Sequence, residues 1–150
     1  MPNKEDVIAL LIKSGWYEGR KVNRALLVQL LRSNGYEVSD KVLDFLESYE
    51  GIVIHFYNPM NGFENDDITV SVEQGNELLT SDAVVEEYEP RVGSKLCVIG
   101  TAYRNYMALL MDDAGRVFAE FDGFLIKLGN SWLDAVEAVI NGRKFEEIPK

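Results

Sequence analysis

The sequence predicts an α+β fold in a single domain over residues 1–150, with an antiparallel sheet of about five to six strands, helices at the N-terminus, one mid-chain helix and a C-terminal helix. Three observations carry this. Apolar residues recur at helical spacing through the first third, the period switches to two at Ile52, and the later strand-like runs are joined by connections too short for the crossovers of a parallel sheet. A chain of 150 residues is long enough to bury roughly 70% of its unfolded surface in one core.

The first helix is expected from about Lys4 to Ser14, with acids in its first turn and Gly15 at its end. Asn23 can cap a second, whose Leu26, Leu27, Leu30 and Leu31 share a stripe before Gly35 stops it. A third starts at Asp40, buries Val42, Leu43, Leu46 and Tyr49, and ends at Gly51. Ile52 to Tyr57 then alternate as a strand able to bury both faces, with Ile52, Ile54 and Phe56 on one side and Val53, His55 and Tyr57 on the other, so that His55 reads as a satisfied structural imidazole. After the turn residues Asn58-Pro59-Met60-Asn61-Gly62, the residues Ile68, Val70 and Val72 alternate as a second strand. Between Leu78 and Tyr88 the spacing is helical again, with Val84, Val85 and Tyr88 inward and Pro90 closing the helix. Four short strands follow, Lys95 to Ile99, Tyr106 to Met111, Arg116 to Phe121 and Phe124 to Leu128, with Asp113-Ala114-Gly115 as a tight connection. Asn130-Ser131 caps a last helix that buries Trp132, Leu133, Val136 and Ile140 and stops at Gly142, leaving a mixed-charge tail.

Fifteen basic against 25 acidic residues give a net charge of -10, which repels phosphate backbones and anionic lipid and favours a basic protein partner. Direct binding of nucleic acid or membrane is not expected. One cysteine, Cys97, fits a reducing compartment, and the N-terminus lacks the basic start of a signal peptide, so a cytoplasmic location is expected.

Chemistry is sparse. His55 is the single histidine, Cys97 sits in an apolar run, and no G-x-S-x-G elbow or phosphate-binding glycine loop occurs. The Asn58 to Asp67 loop fails the calcium template, because Tyr57, Pro59 and Ile68 occupy ligand positions when it is aligned on Gly62. The sequence thus calls for no catalytic residue, metal or cofactor. A carboxylate hydrolase built on Asp112, Asp113 and His55 is the enzymatic alternative, and it needs a cleft that unites the three.

Gly15-Trp16, Gly19-Arg20, the Phe45-Leu46-Glu47-Ser48-Tyr49-Glu50-Gly51-Ile52 segment, Gly93 to Gly100 with Leu96, Asp112-Asp113-Ala114-Gly115-Arg116-Val117-Phe118 and Leu128-Gly129-Asn130-Ser131 occur in one order over nearly the whole chain. Together they resemble the third group of the SUKH superfamily of bacterial immunity proteins. Glu50 stands where that pattern has a glycine. The resemblance implies a compact α+β domain that neutralises a cognate toxin domain of a polymorphic or contact-dependent system by direct binding, without catalysis. A general interaction adaptor of the same fold is the nearest alternative. Trp16 and Arg20 are then scaffold residues. Many such toxins act on nucleic acids with basic surfaces, so the expected partner is a basic, nuclease-like toxin domain, and the expected contact residues are Asp82, Glu86 and Glu89, with Glu64, Asp66 and Asp67 beside them.

Overall fold

The computed structural model of the chain describes residues 1–37 and 39–150. Its first three helices follow the sequence signals closely. Helix α1 (Lys4–Lys13) starts with a reciprocal capping box, in which the Asp6 amide donates to Asn3 Oδ1 and the Asn3 amide to Asp6 Oδ2. Helix α2 (Arg24–Ser33) is capped by Asn23, and α3 (Asp40–Tyr49) follows Ser39. Each apolar stripe turns inward: Val7 and Leu11 from α1, Leu27 and Leu31 from α2, and Val42, Leu43, Phe45 and Leu46 from α3 are all buried.

Strands β1 (Val53–Phe56), β2 (Asp66–Val70), β3 (Leu96–Ala102), β4 (Met107–Asp112), β5 (Val117–Phe121), β6 (Phe124–Gly129) and β7 (Glu146–Ile148) form one antiparallel sheet in sequential order. The sheet therefore has seven strands, one more than the upper expectation. The extra strand comes from the C-terminal tail, where Leu125 and Lys127 of β6 stand opposite Ile148 and Glu146. Three residues with two acids carry too little periodicity to announce a strand.

Between β2 and β3 the chain forms helix α4 (Val72–Leu78), the short turn α5 (Ser81–Ala83), a wide π-type turn over Val84–Tyr88 and α6 (Glu89–Val92). Val72 accordingly belongs to a helix and not to the second strand, since the Ser71 hydroxyl accepts from the Gln74 amide and caps it. Pro90 does not close the helical segment. It sits in the first turn of α6, directly after the wide turn. The wide turn rotates Val85 outward to 49% exposure, while Val84 and Tyr88 stay buried. β1 is likewise one-sided: Ile54 and Phe56 are buried, and His55 is exposed on an edge strand instead of being packed.

Helix α7 (Trp132–Ile140), capped by Ser131, lies on one face of the sheet against Ile68, Leu109 and Leu128. Helix α1 leans on it through Lys4, paired with Asp134 and Glu137. α4 covers the opposite face. It approaches so closely that a Cβ on Gly75 would stand 2.1 Å from Val98 Cγ1, and a Cβ on Gly100 would stand 2.0 Å from the Thr69 carbonyl oxygen. Here glycine is a packing requirement between helix, β3 and β2, and not a turn.

Candidate partner-binding surface

The chemistry-bearing side chains are dispersed. His55 stands opposite Asp67 at one end of the sheet, and Asp112 stands opposite Leu96 at the other end, three strands over. Strand geometry separates them by roughly 20 Å, so the cleft required by a hydrolase of Asp112, Asp113 and His55 is not formed. Asp112 is fully buried and closes the β4–β5 turn. It accepts from the Arg116 amide (2.8 Å), Arg116 Nε (2.6 Å), the Ala114 amide (3.0 Å) and the Ser94 hydroxyl (3.2 Å). Asp113 points to solvent. Cys97 is buried, and burial drives its thiol far above the ordinary cysteine range, the opposite of what a nucleophile needs. Among the described residues, no three His, Cys, Asp or Glu side chains are placed to hold a metal ion.

The residues common to the resembled pattern build the scaffold. Trp16 stacks on Tyr49 with ring centres 5.7 Å apart and donates its indole N–H to the Ser48 hydroxyl. Arg20 reaches the same place from the preceding turn, donating to the carbonyls of Ser48 (2.8 Å) and Glu50 (2.7 Å). Arg20 therefore satisfies and neutralises the carbonyl end of α3, while Trp16 braces its last turn through the Ser48 side chain. Glu50, the departure from that pattern, has one carboxylate oxygen buried without a partner. Burial pushes its pKa up to about 7, opposed by the Val72 amide and the nearby Arg20 charge.

The six acids expected to meet a partner fall into two groups. Asp82 and Glu86 are exposed and project from α5 and the wide turn that follows it. Glu89 is half-buried, with Oε2 accepting from the Leu96 amide (2.9 Å) where β3 begins. Glu64, Asp66 and Asp67 lie beside the other end of β3, where the Asp67 carbonyl accepts from the Tyr103 amide (2.9 Å). Seven residues of strand (Leu96–Ala102) set the groups about 20 Å apart, so they are two surfaces and not one.

Only part of the second group is free. Glu64 is exposed, but Asp66 is fully buried, accepting from Asn58 Nδ2 (2.9 Å) and pairing with Arg104 Nε (3.4 Å). Asp67 is half-buried and its Oδ1 accepts from the Arg104 amide (3.1 Å). Asp66 and Asp67 thus organise the neighbouring β3–β4 loop.

A wider signal surrounds the first group. From residue 42 to residue 90 the chain has twelve acids and no lysine or arginine, a run of charge that a search for local motifs passes over. Glu73, Glu77 and Glu87 are exposed together with Asp82 and Glu86 on the segment from α4 to the wide turn. The basic residues that follow are engaged elsewhere: Arg91 donates to the carbonyls of Gly123, Ile148 and Pro149, and Lys95 pairs with Glu37. This side of the molecule therefore presents uncompensated negative charge.

The scaffold thus carries a charged exterior, and Asp112, Asp113 and His55 do not meet in one site. The sequence profile of the SUKH-3 immunity proteins matches residues 3–142, so the chain belongs to the SUKH-3 immunity protein family. That places it among proteins whose role is to counter toxins by interaction, and not among enzymes. No match was found among curated proteins or solved structures. Among the described residues, no helix is long and apolar enough to cross a membrane.

Proposed function

We propose that residues 1–150 act as a single immunity domain that neutralises a cognate nuclease or other nucleic-acid-acting toxin in the cytoplasm by occupying its basic surface. The observation that carries this reading is the uncompensated acidic side formed by the segment from α4 to the wide turn, with Asp82 and Glu86 exposed on it. Glu89 extends this surface toward β3, and Glu64 provides a second negative point beside the loop that Asp66 and Asp67 hold. A toxin that binds polyanions must offer cations, and an acidic protein both speeds encounter with them and competes with the substrate.

The test is reversal of charge at the accessible acids. Asp82→Lys combined with Glu86→Lys, and Glu64→Lys separately, are titrated against the toxin domain encoded beside this gene, from low to moderate salt. The double variant is expected to bind at least tenfold more weakly at low salt and with a shallower salt dependence. Unchanged affinity together with an unchanged salt slope would reject the acidic surface as the contact.

A further inference from the structure

The sheet face that carries α7 is only partly covered. Nine residues of helix (Trp132–Ile140) span about 13 Å, and the chain turns away at Gly142, where a Cβ would stand 2.7 Å from Pro59. Beyond that point the same face continues bare. In the strand register Leu109 stands opposite Ala119, Ala119 opposite Ile126, and Phe121 opposite Phe124. Met107, Phe121, Phe124 and Ile126 therefore share the α7 face by alternation. Met107, Phe121 and Ile126 floor an open groove of about 800 Å³ that Phe145, Met60 and Asn61 also line, and Phe124 stacks beside Phe121 at its edge.

Its mouth is the β3–β4 loop, where three consecutive residues, Tyr103, Arg104 and Asn105, all have left-handed backbones (φ 55, 56 and 64). Each such non-glycine residue costs about 1 kcal/mol or more, so the run persists only because its surroundings impose it. The Asp67 carbonyl holds the Tyr103 amide, Asp67 Oδ1 holds the Arg104 amide, and the buried Asp66 fixes the guanidinium, which also lies 3.6 Å above the Phe63 ring centre. The loop sets Tyr106 against Phe121 at 5.6 Å, and Phe121 against Phe124 at 5.4 Å. Yet Tyr106 stays 55% exposed, Phe124 48% and Met60 64%. Rigid, half-exposed aromatics and a methionine around an apolar floor are the composition of an interface core.

Charge indicates what enters. Arg104 is answered internally by Asp66, whereas Glu64, Asp122 in the β5–β6 turn and Glu147, directly opposite Ile126 on β7, are exposed around the rim. Against these acids stands Lys144, next to the wall residue Phe145. We propose that the groove receives a segment of the cognate toxin domain in which an apolar anchor is flanked by lysine or arginine. This rests on the immunity reading above, and it assigns the anchoring contact to the loop end of the sheet, with the acidic helical side acting mainly in encounter. Strain at Tyr103–Asn105 then serves to hold the groove open before the partner arrives.

Calorimetric titration of the purified full chain with the toxin domain encoded beside the gene tests this. Tyr106→Ala, Phe124→Ala and Met60→Ala, taken from different sides of the groove, are each expected to raise Kd tenfold or more with thermal melting unchanged. Leu26→Ala, which removes an equally exposed apolar residue on α2 (62%), is expected to change Kd less than twofold. If the wild type binds and the three groove variants bind within twofold of it, the groove is not the contact, although the immunity reading stands. If the wild type forms no complex with that domain, the immunity reading fails and the groove assignment falls with it.

Discussion

Glu50→Gln separates a cost of this particular sequence from the needs of the fold. The Glu50 side chain is largely buried behind the end of α3, one oxygen has no partner, and its pKa stands at about 7 against an ordinary 4.5. A carboxyl whose folded pKa is raised binds a proton more tightly when folded, so its contribution to stability is most favourable below pH 4.5 and is lost as pH rises through 7. The full difference corresponds to about 3 kcal/mol, and residual solvent access reduces the expected effect to about 2 kcal/mol. The amide keeps the shape and never ionises. Glu50→Gln is therefore expected to match the wild type near pH 4 and to exceed it above pH 7.5 by about 2 kcal/mol, or roughly 4–8 °C in Tm for a chain of this size. Urea denaturation of both proteins between pH 4 and 8.5 measures it. The difference between the two curves isolates Glu50 from the titration of the other acids. A difference that stays flat with pH, or a variant less stable than wild type at pH 8, would refute the assignment of a charged carboxylate buried without adequate partners.

Two further substitutions probe the scaffold. Gly100→Ala places a methyl 2.0 Å from the Thr69 carbonyl oxygen and should cost about 3 kcal/mol or more, because backbone on the neighbouring strand must move; a melt within 2 °C of wild type would show the approach to be looser than described. Arg20→Ala removes two charged hydrogen bonds to the end of α3 and should cost about 2–3 kcal/mol, while toxin affinity, measured below the lowered Tm, stays within twofold. A large loss of affinity at unchanged stability would instead move Arg20 into the interface.

The legible parts of the fold were those with local chemistry. Asn23 and Ser131 announce helix starts because a short polar side chain beside an apolar stripe has one energetically favourable use, and both stand at the N-cap expected of them; Asn3 and Ser39 cap the other two helices in the same way. Val72 reads as strand because a two-residue alternation runs into it from Val70, and the Ser71 cap that decides the matter overlaps that alternation. The wide turn at Val84–Tyr88 is not legible from apolar spacing, and the nearest local sign, Pro90, reads equally well as a helix end. His55 reads as buried from its apolar neighbours, but β1 is an edge strand, and edges are a property of the whole sheet order.

The candidate surfaces divide in the same way. Acid positions are visible in sequence, but the internal use of Asp66 depends on Asn58 and Arg104, eight and 38 residues away. Nothing in Tyr103-Arg104-Asn105 suggests three left-handed residues, and the groove they frame gathers side chains from β4, β5, β6, two loops and the tail. Such a site exists only after the strands are in register.

An immunity protein that acts by holding a toxin leaves that toxin chemically unchanged. The decisive measurement titrates purified protein into a fixed amount of the cognate toxin domain, follows toxin activity, and then recovers the toxin for mass measurement. Inhibition is expected to scale with the amount of immunity protein and to be complete at molar equivalence, and the toxin is expected to keep its mass and to be active again once the complex is dissociated in denaturant and refolded. Complete inactivation by a small fraction of an equivalent, or a toxin recovered cleaved or modified, would contradict neutralisation by holding.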